Sequence, residues 1–595
     1  MAIKRSETDK RDRWDIEGMY PDAGAWEKDL EKAERLAEGF GALRGSLSDS
    51  GEALLSALKQ SDELGRAVEK VFVYARMKMD EDNGDSARQA MADRACGLLT
   101  KAETATAFFE PELLAIPRKM LEEYRAETKG LSAYAFYIDA LLHQRKHVLS
   151  GKEEAVLAAL GESLSAPSKI FSMLNDADMK FGYIKGEDGK KTLLTHGNYI
   201  RFMESRDRRV RRSAYKTMYG AYGRQLNTLA ASYGASVKKD AAMAKVRKYG
   251  SSIEAALDGE KIPVAVYENL LDTVDSNIGA LHRYMGLRAK ILGLPKLSMY
   301  DVYVPLFRPV KENYTFEEAV GIMERGLAPL GREYRDAMMG GVKSGWIDKY
   351  ENEGKTSGAY SFGSYDSKPY ILMNFDGNIR DVFTLAHEMG HSMHSFFTRR
   401  KQPFRYGGHS IFTAEVASTV NESLLMHYLL ENSKDVNEKR YVLNKYIEEF
   451  RTTLFRQAMF AKFEKLAHGI AEEGGALTPD LLMSLYGGLN EDYFGKKVAI
   501  DGDIRMEWAR IPHFYRAFYV YQYATGFSAA TAISRKIIRE GEPAVKQYLK
   551  FLGSGNSDYP IELLKIAGVD MGRAEPLNSA MDVFRGLVDE LEAVI

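Results

Sequence analysis

Proline limits how long a chain can stay helical, because it lacks a backbone N–H donor and its ring clashes with the preceding turn. This sequence has only 16 prolines in 595 residues and is rich in Ala, Leu, Glu, Lys and Met. Those residues lose little freedom in a helix, so the expected fold class is mainly α. From Trp26 to Leu174 one helical pattern follows another. Between Glu52 and Met77 the apolar residues Leu54, Leu55, Leu58, Leu64, Val68 and Val71 recur close to the helical period. The polar stretch from Glu81 to Asp85 ends one helix and begins the next. Pro111 and Pro117 mark a bend before a helix over Lys119–Arg125. There is no repeat of solenoid period and no low-complexity tract.

The interruptions are few. Two β-prone runs flank Asp188 and Gly189, a two-residue hairpin signal. Helices resume at Tyr199 and run to about Leu292, followed by a strand-prone stretch at Ser298–Val304. The segment Gly358–Asn374 (GAYSFGSYDSKPYILMN) reads as a small sheet in which Pro369 opens an edge strand. Beyond Asp376 the pattern is helical, apart from expected turns at the glycine pairs 407–408, 474–475 and 487–488 and at 553–555.

Lys+Arg total 82 and Asp+Glu 84, a formal net charge of −2. That balance supports neither a nucleic-acid nor an anionic-membrane partner. The strongest basic run, Arg206 to Lys216, reads as a solvated helix face paired with acids. A nucleic-acid-binding module is the main non-enzyme alternative. A single cysteine, Cys96, excludes an intrachain disulfide and a Cys-cluster metal site and fits a reducing compartment. Cys96 itself reads as a small core residue. The first twenty residues lack an apolar signal core, and no long apolar run could span a bilayer. A cytoplasmic protein is expected. The chain is also long enough to build a core that needs no metal staple. Two near misses fall away: Gly39–Gly45 has the wrong spacing for a dinucleotide fingerprint, and Gly487–Lys496 lacks the P-loop spacing.

The chemistry concentrates at residues 387–391, His-Glu-Met-Gly-His, in a helix-compatible stretch just after the small sheet. On a helix, His387 and His391 share a face and can supply two ligands of a tetrahedral Zn²⁺. Glu388 lies about 100° around the helix, where it reaches a metal-bound water rather than the metal. A third ligand is needed. The metzincin continuation would place Gly and His where His394 and Phe397 stand, which excludes that class. His394 itself reads as a solvent-facing or supporting residue. Glu415 and Glu422 share one face of a downstream helix. Glu415, in its first turn, is the chosen ligand, with Glu422 orienting an imidazole; the reversed roles are also geometrically allowed.

HEMGHSMHS (387–395) followed by FTAEVASTVNE (412–422) resembles the oligoendopeptidase F branch of the thimet-oligopeptidase-like zinc metallopeptidases. WDIEGMYP (14–21), the stretch from Trp346 to Ser361, PYILMN (369–374) and IPHFYRAFYVYQYATG (511–526) are similar to further segments of that branch. The resemblance implies one Zn²⁺ per chain on His387, His391 and Glu415, with Glu388 as general base in attack by a zinc-bound water. It implies a substrate-polarising histidine, His513, and a tyrosine. Tyr515, Tyr519 and Tyr523 would lie on one helical stripe, and Tyr519 and Tyr523 are the chosen pair. The branch also implies a zincin-like fold with a small β-sheet beside the zinc helix. A helical region over 1–200 would enclose a deep substrate channel, with the catalytic domain over 201–595, admitting short unfolded peptides. The strand at Tyr370–Met373 is expected to pair with extended substrate. A zinc exopeptidase and a catalytically dead scaffold are the remaining rivals, and the ligand types also suit Co²⁺ or Mn²⁺. Oligomeric state is not legible.

Overall fold

The computed structural model describes residues 3–309, 311 and 313–595. It is 72% helical with only small sheets. Two compact units are each built from three stretches of chain: Met1–Lys146, Lys311–Tyr428 and Ile533–Val569 in one, His147–Val310, Leu429–Ala532 and Asp570–Ile595 in the other.

In the first unit the helices Ala23–Phe40, Gly51–Glu81 and Ser86–Thr106 pack together. Each starts where a side chain takes up a free backbone donor: Asp22 accepts from Ala25 N, Ser50 from Ala53 N and Asp85 from Ala87 N. The periodic residues Leu54, Leu58, Leu64, Val68 and Val71 are buried in the core with Trp14, Trp26 and Leu98. Cys96 is exposed, contrary to the core position expected for it.

The small sheet forms where the Gly- and Tyr-rich segment placed it, but its order corrects one expectation. Tyr370–Leu372 is the middle strand, parallel to Ile347–Asp348 and antiparallel to Tyr360–Phe362. Pro369 therefore precedes a central strand, and the missing N–H falls just outside the ladder. With both sides of Tyr370–Leu372 taken, the substrate-pairing role given to it is withdrawn. The outer side of Ile347–Asp348 carries the N-terminal segment: Lys349 N donates to Asp12 O at 2.9 Å and Asp15 N to Gly345 O at 2.7 Å. Arg5 bridges buried Asp348 and Glu81, and Lys355 Nζ stands 2.7 Å from Asp348 Oδ1.

The second unit has a tyrosine-rich core in which Tyr215, Tyr219, Tyr233, Tyr267, Tyr284 and Tyr486 are fully buried. The basic run lies on the helix Arg208–Arg224. Arg208 and Arg211 close on buried Asp301 at 2.9 and 2.7 Å, and Lys216 meets Asp501 at 3.1 Å. Asp301 also accepts from Ser298 N at 2.8 Å. That carboxylate curls the strand-prone stretch into a 3₁₀ turn, Met299–Asp301, so that only Leu297–Ser298 is strand, parallel to Val498–Ala499. Two further expectations change. The Tyr183–Lys185/Lys191–Leu193 hairpin closes through five residues, with Gly186 N donating to Lys190 O, not through two. The pair Gly487–Gly488 lies inside the helix Pro479–Phe494; a Cβ on Gly487 would strike Arg505. Among the described residues no helix is long and apolar enough to cross a membrane.

Candidate metal centre

The histidine motif sits mid-way along the helix Ile379–Lys401, started by an Asn378/Asp381 capping box. His387 and His391, one turn apart, bring their Nε2 atoms to 3.2 Å. The helix Ile411–Glu431 packs against this one and presents Glu415, whose Oε2 lies 3.6 Å from His387 Nε2 and 3.8 Å from His391 Nε2. One ligand atom from each of these three residues falls within 4.8 Å of the others, and among the described residues this is the one such cluster of metal-ligating side chains. Glu422, two turns on, faces the other ring nitrogen: its Oε2 is 3.4 Å from His387 Nδ1.

Glycine makes this closeness possible. A Cβ on Gly390 would stand 2.5 Å from Ser418 Cα and 2.7 Å from Ala417 O, so the two helices touch backbone to backbone at this level. Asn421 fixes their register by donating to Ala386 O at 2.9 Å while accepting from Tyr334 Oη, also at 2.9 Å. Neither Gly390 nor Asn421 was singled out from the sequence. The available signal was the match of Gly390 to the small residues Ala417 and Ser418, but nothing in the string aligns the two helices.

The edge strand Tyr360–Phe362 lies against the helix Ile379–Lys401, where Ser361 Oγ meets Ser392 Oγ at 2.8 Å. Glu388 is 8% exposed. Burial, outweighing the charge of His387, pushes its carboxyl up to about 7. His387 goes the opposite way from a buried imidazole. Burial lowers it, but the hydrogen bond and charge of Glu422, with Glu388 and Glu415, raise it to about 9. His391 is pushed down to about 3 by burial and by His387. Carboxylates thus surround one ring while its neighbour stays neutral. That field fits a cation at the Nε2 atoms, and two imidazoles with one carboxylate fit a divalent metal that keeps an open position.

His394 is not at the surface. It is buried, its ring centroid 3.6 Å from that of His409, and it also packs on Phe551. The reason is the segment Glu542–Leu552, which covers this level of the helix: Thr398 Oγ1 donates to Leu552 O at 2.7 Å.

In the second unit His513 lies in the 3₁₀ turn Pro512–Tyr515, and the following helix begins only at Tyr521. The expected helical stripe through Tyr515, Tyr519 and Tyr523 therefore does not form. Pro512 opens a separate turn and Phe518 takes a left-handed conformation, φ +53°. Tyr515 turns away and stacks on Phe171. His513, Tyr519 and Tyr523 nevertheless come together. Tyr519 lies parallel to His513 at 6.0 Å, and the two tyrosine hydroxyls are 3.4 Å apart. Burial and Arg516 lower the His513 imidazole.

A histidine pair on one helix, a carboxylate from the next and a buried glutamate between the histidines define the metallopeptidase class that the H-E-x-x-H string signals. The model of peptidase family M3 matches residues 201–583, and that of oligopeptidase F matches residues 112–181. The chain is 46% identical over 591 residues to oligopeptidase PepF of Bacillus subtilis strain 168, covering 99% of this chain and 88% of that protein. It is 40% identical to an oligoendopeptidase F homolog of Lactococcus lactis subsp. lactis strain IL1403, covering 100% and 99%. The crystal structure of oligoendopeptidase-F from Enterococcus faecium superposes with a TM-score of 0.75 at 38% identity, covering 96% of this chain and 98% of that one. The chain belongs to peptidase family M3 and is a metalloendopeptidase.

Proposed function

We propose that this protein is a zinc-dependent oligoendopeptidase that hydrolyses short, unfolded peptides, with His387, His391 and Glu415 holding one Zn²⁺ and Glu388 serving as general base. The observation that carries this reading is the convergence of His387 Nε2, His391 Nε2 and Glu415 Oε2, with the buried Glu388 on the same helix as the two histidines. When bound, the metal supplies Lewis acidity, polarising the scissile carbonyl and acidifying the attacking water. The protein's own groups do the rest. Glu422 takes the proton side of His387 at Nδ1, which leaves Nε2 as a ligand atom. Glu388, raised to about 7, can accept a proton near neutrality and return it to the leaving amine. His513, Tyr519 and Tyr523 are assigned as donors to the developing oxyanion; their mutual contact supports reading them as one group. The edge strand Tyr360–Phe362 is assigned to align extended peptide, in place of Tyr370–Met373.

The substrate class rests on the named relatives, an oligopeptidase and an oligoendopeptidase F. The division into a helical substrate-limiting region over 1–200 and a catalytic body over 201–595 is part of the same proposal. The boundaries of the two family matches support it. A cytoplasmic setting is proposed on the single cysteine.

The test is Glu388→Gln with an internally quenched peptide blocked at both termini. The variant should retain its zinc and lose about 10²-fold or more in kcat. Near-native turnover would remove Glu388 from its role, and failure of the wild type to cut the blocked peptide would favour an exopeptidase.

A further inference from the structure

The segment that brings Tyr519 to His513 turns on Phe518. Its φ of +53° lies in the left-handed region, where a bulky side chain is an outlier that surrounding structure must impose. The imposing group is on the helix Arg456–Glu472. Phe518 N donates to Glu464 Oε1 at 3.1 Å, and Glu464 is completely buried. The same helix grips the ring: His468 packs on it at 4.5 Å, while Tyr267, whose hydroxyl donates to Ala461 O at 2.7 Å, meets its edge at 5.7 Å. His468 is itself fixed by its Nδ1, 2.9 Å from the Glu464 carbonyl.

Among the described residues Glu464 has no lysine or arginine partner, and its second oxygen, Oε2, makes no hydrogen bond. Among the described residues Tyr233 Oη, Asp240 Oδ2 and His468 Nε2 are likewise buried without hydrogen-bond partners, with Asp240 Oδ2 3.6 Å from His468 Nε2. Burial and the nearby Asp240 push the Glu464 carboxyl well above the usual range. A polar group in a core of aromatic rings is costly unless it does something there. Here its partner is the amide of the strained residue, one position before Tyr519.

We propose that Glu464 is a positioning residue of this enzyme: its buried carboxyl pins Phe518 in the left-handed conformation and so sets Tyr519 and Tyr523 against His513. The role in catalysis rests on the reading of those three side chains as oxyanion donors. Without the acceptor, Phe518 relaxes toward negative φ. The chain beyond it rotates, and the Tyr519 ring leaves the parallel contact with His513 and its place beneath the Arg516 guanidinium, 4.1 Å from the ring.

The experiment compares Glu464→Gln, which keeps an acceptor at this position, with Glu464→Met, which keeps length and removes it. His513→Ala and Tyr519→Phe are measured alongside. Three readouts are taken: kcat and KM on a blocked peptide, zinc content, and hydrogen exchange of the amides of residues 516–522. The Gln variant should stay within about threefold of wild type. The Met variant should lose about tenfold or more in kcat at unchanged KM and zinc content, with fast exchange at 516–522. Native exchange in the Met variant overturns the clamp. Native kcat in the Met variant, with His513→Ala and Tyr519→Phe impaired, overturns its part in catalysis. If those two variants keep native kcat, the donor reading fails and the exchange data alone judge the clamp. Should the Met variant not fold, the wild type decides: a Phe518 amide that exchanges like an open loop overturns the proposal.

Discussion

His387 offers two nitrogens, and its surroundings give each a separate task. Nε2 faces Glu415 and His391, while Nδ1 faces Glu422. Removing the Glu422 carboxylate should leave the ring present but poorly oriented, so Glu422→Ala should bind zinc about 10–100-fold more weakly, measured by chelator competition. If Glu415→Ala held zinc normally and Glu422→Ala did not, the two roles would be reversed. At this scale the sequence was informative where helical periodicity decides. His387, Glu388 and His391 could be placed because a spacing of four fixes a shared face. His394 could not, since periodicity says which face a residue occupies but not what lies opposite. The covering segment is about 150 residues downstream.

Among elements, the close approach of the two site helices is the decisive contact. Gly390→Ala would force a methyl group into the Ser418 backbone. It should cost about 1–3 kcal/mol of stability and weaken zinc binding, because Glu415 moves away with its helix. Thermal melts with and without chelator separate the two effects; a stability loss with native zinc affinity would show that the ligands do not depend on this contact. The sheet teaches a similar lesson. The run Tyr370–Leu372 was legible as strand, but strand order depends on partners elsewhere in the chain. The helical stripe drawn through Tyr515, Tyr519 and Tyr523 failed because Phe518, the residue that breaks it, carries no turn signal. Its conformation is held from Glu464, 54 residues earlier.

For the molecule as a whole, the core is large enough to stand without metal. A chelator should abolish hydrolysis while leaving far-UV circular dichroism unchanged and lowering Tm only by the lost binding energy; unfolding on chelation would contradict this. Acid sensitivity has a nameable contributor. Burial opposes ionisation of Asp348, but Arg5 and Lys355 hold its carboxyl below the usual 3.8. A carboxylate with a depressed folded pKa adds stability above its unfolded value and loses it as pH falls through the folded one. The urea midpoint should therefore drop below about pH 4. Asp348→Asn should cost about 3 kcal/mol at pH 7 and flatten that part of the acid profile. An unchanged midpoint at pH 7 would show that the buried cluster contributes no net stability.

The interleaving of the chain between two units also bears on how the protein is made. A ribosome that has released residues through 431 has delivered all three side chains of the candidate metal centre, yet the segment Glu542–Leu552 that braces their helices is still to be synthesised. Thr398 and Gln402 wait for the carbonyls of Leu552 and Gly553, and Arg5 waits for Asp348. Such distant pairings make folding slow and keep it from finishing segment by segment during synthesis. The metal should therefore be captured after translation is complete, by a nearly finished fold.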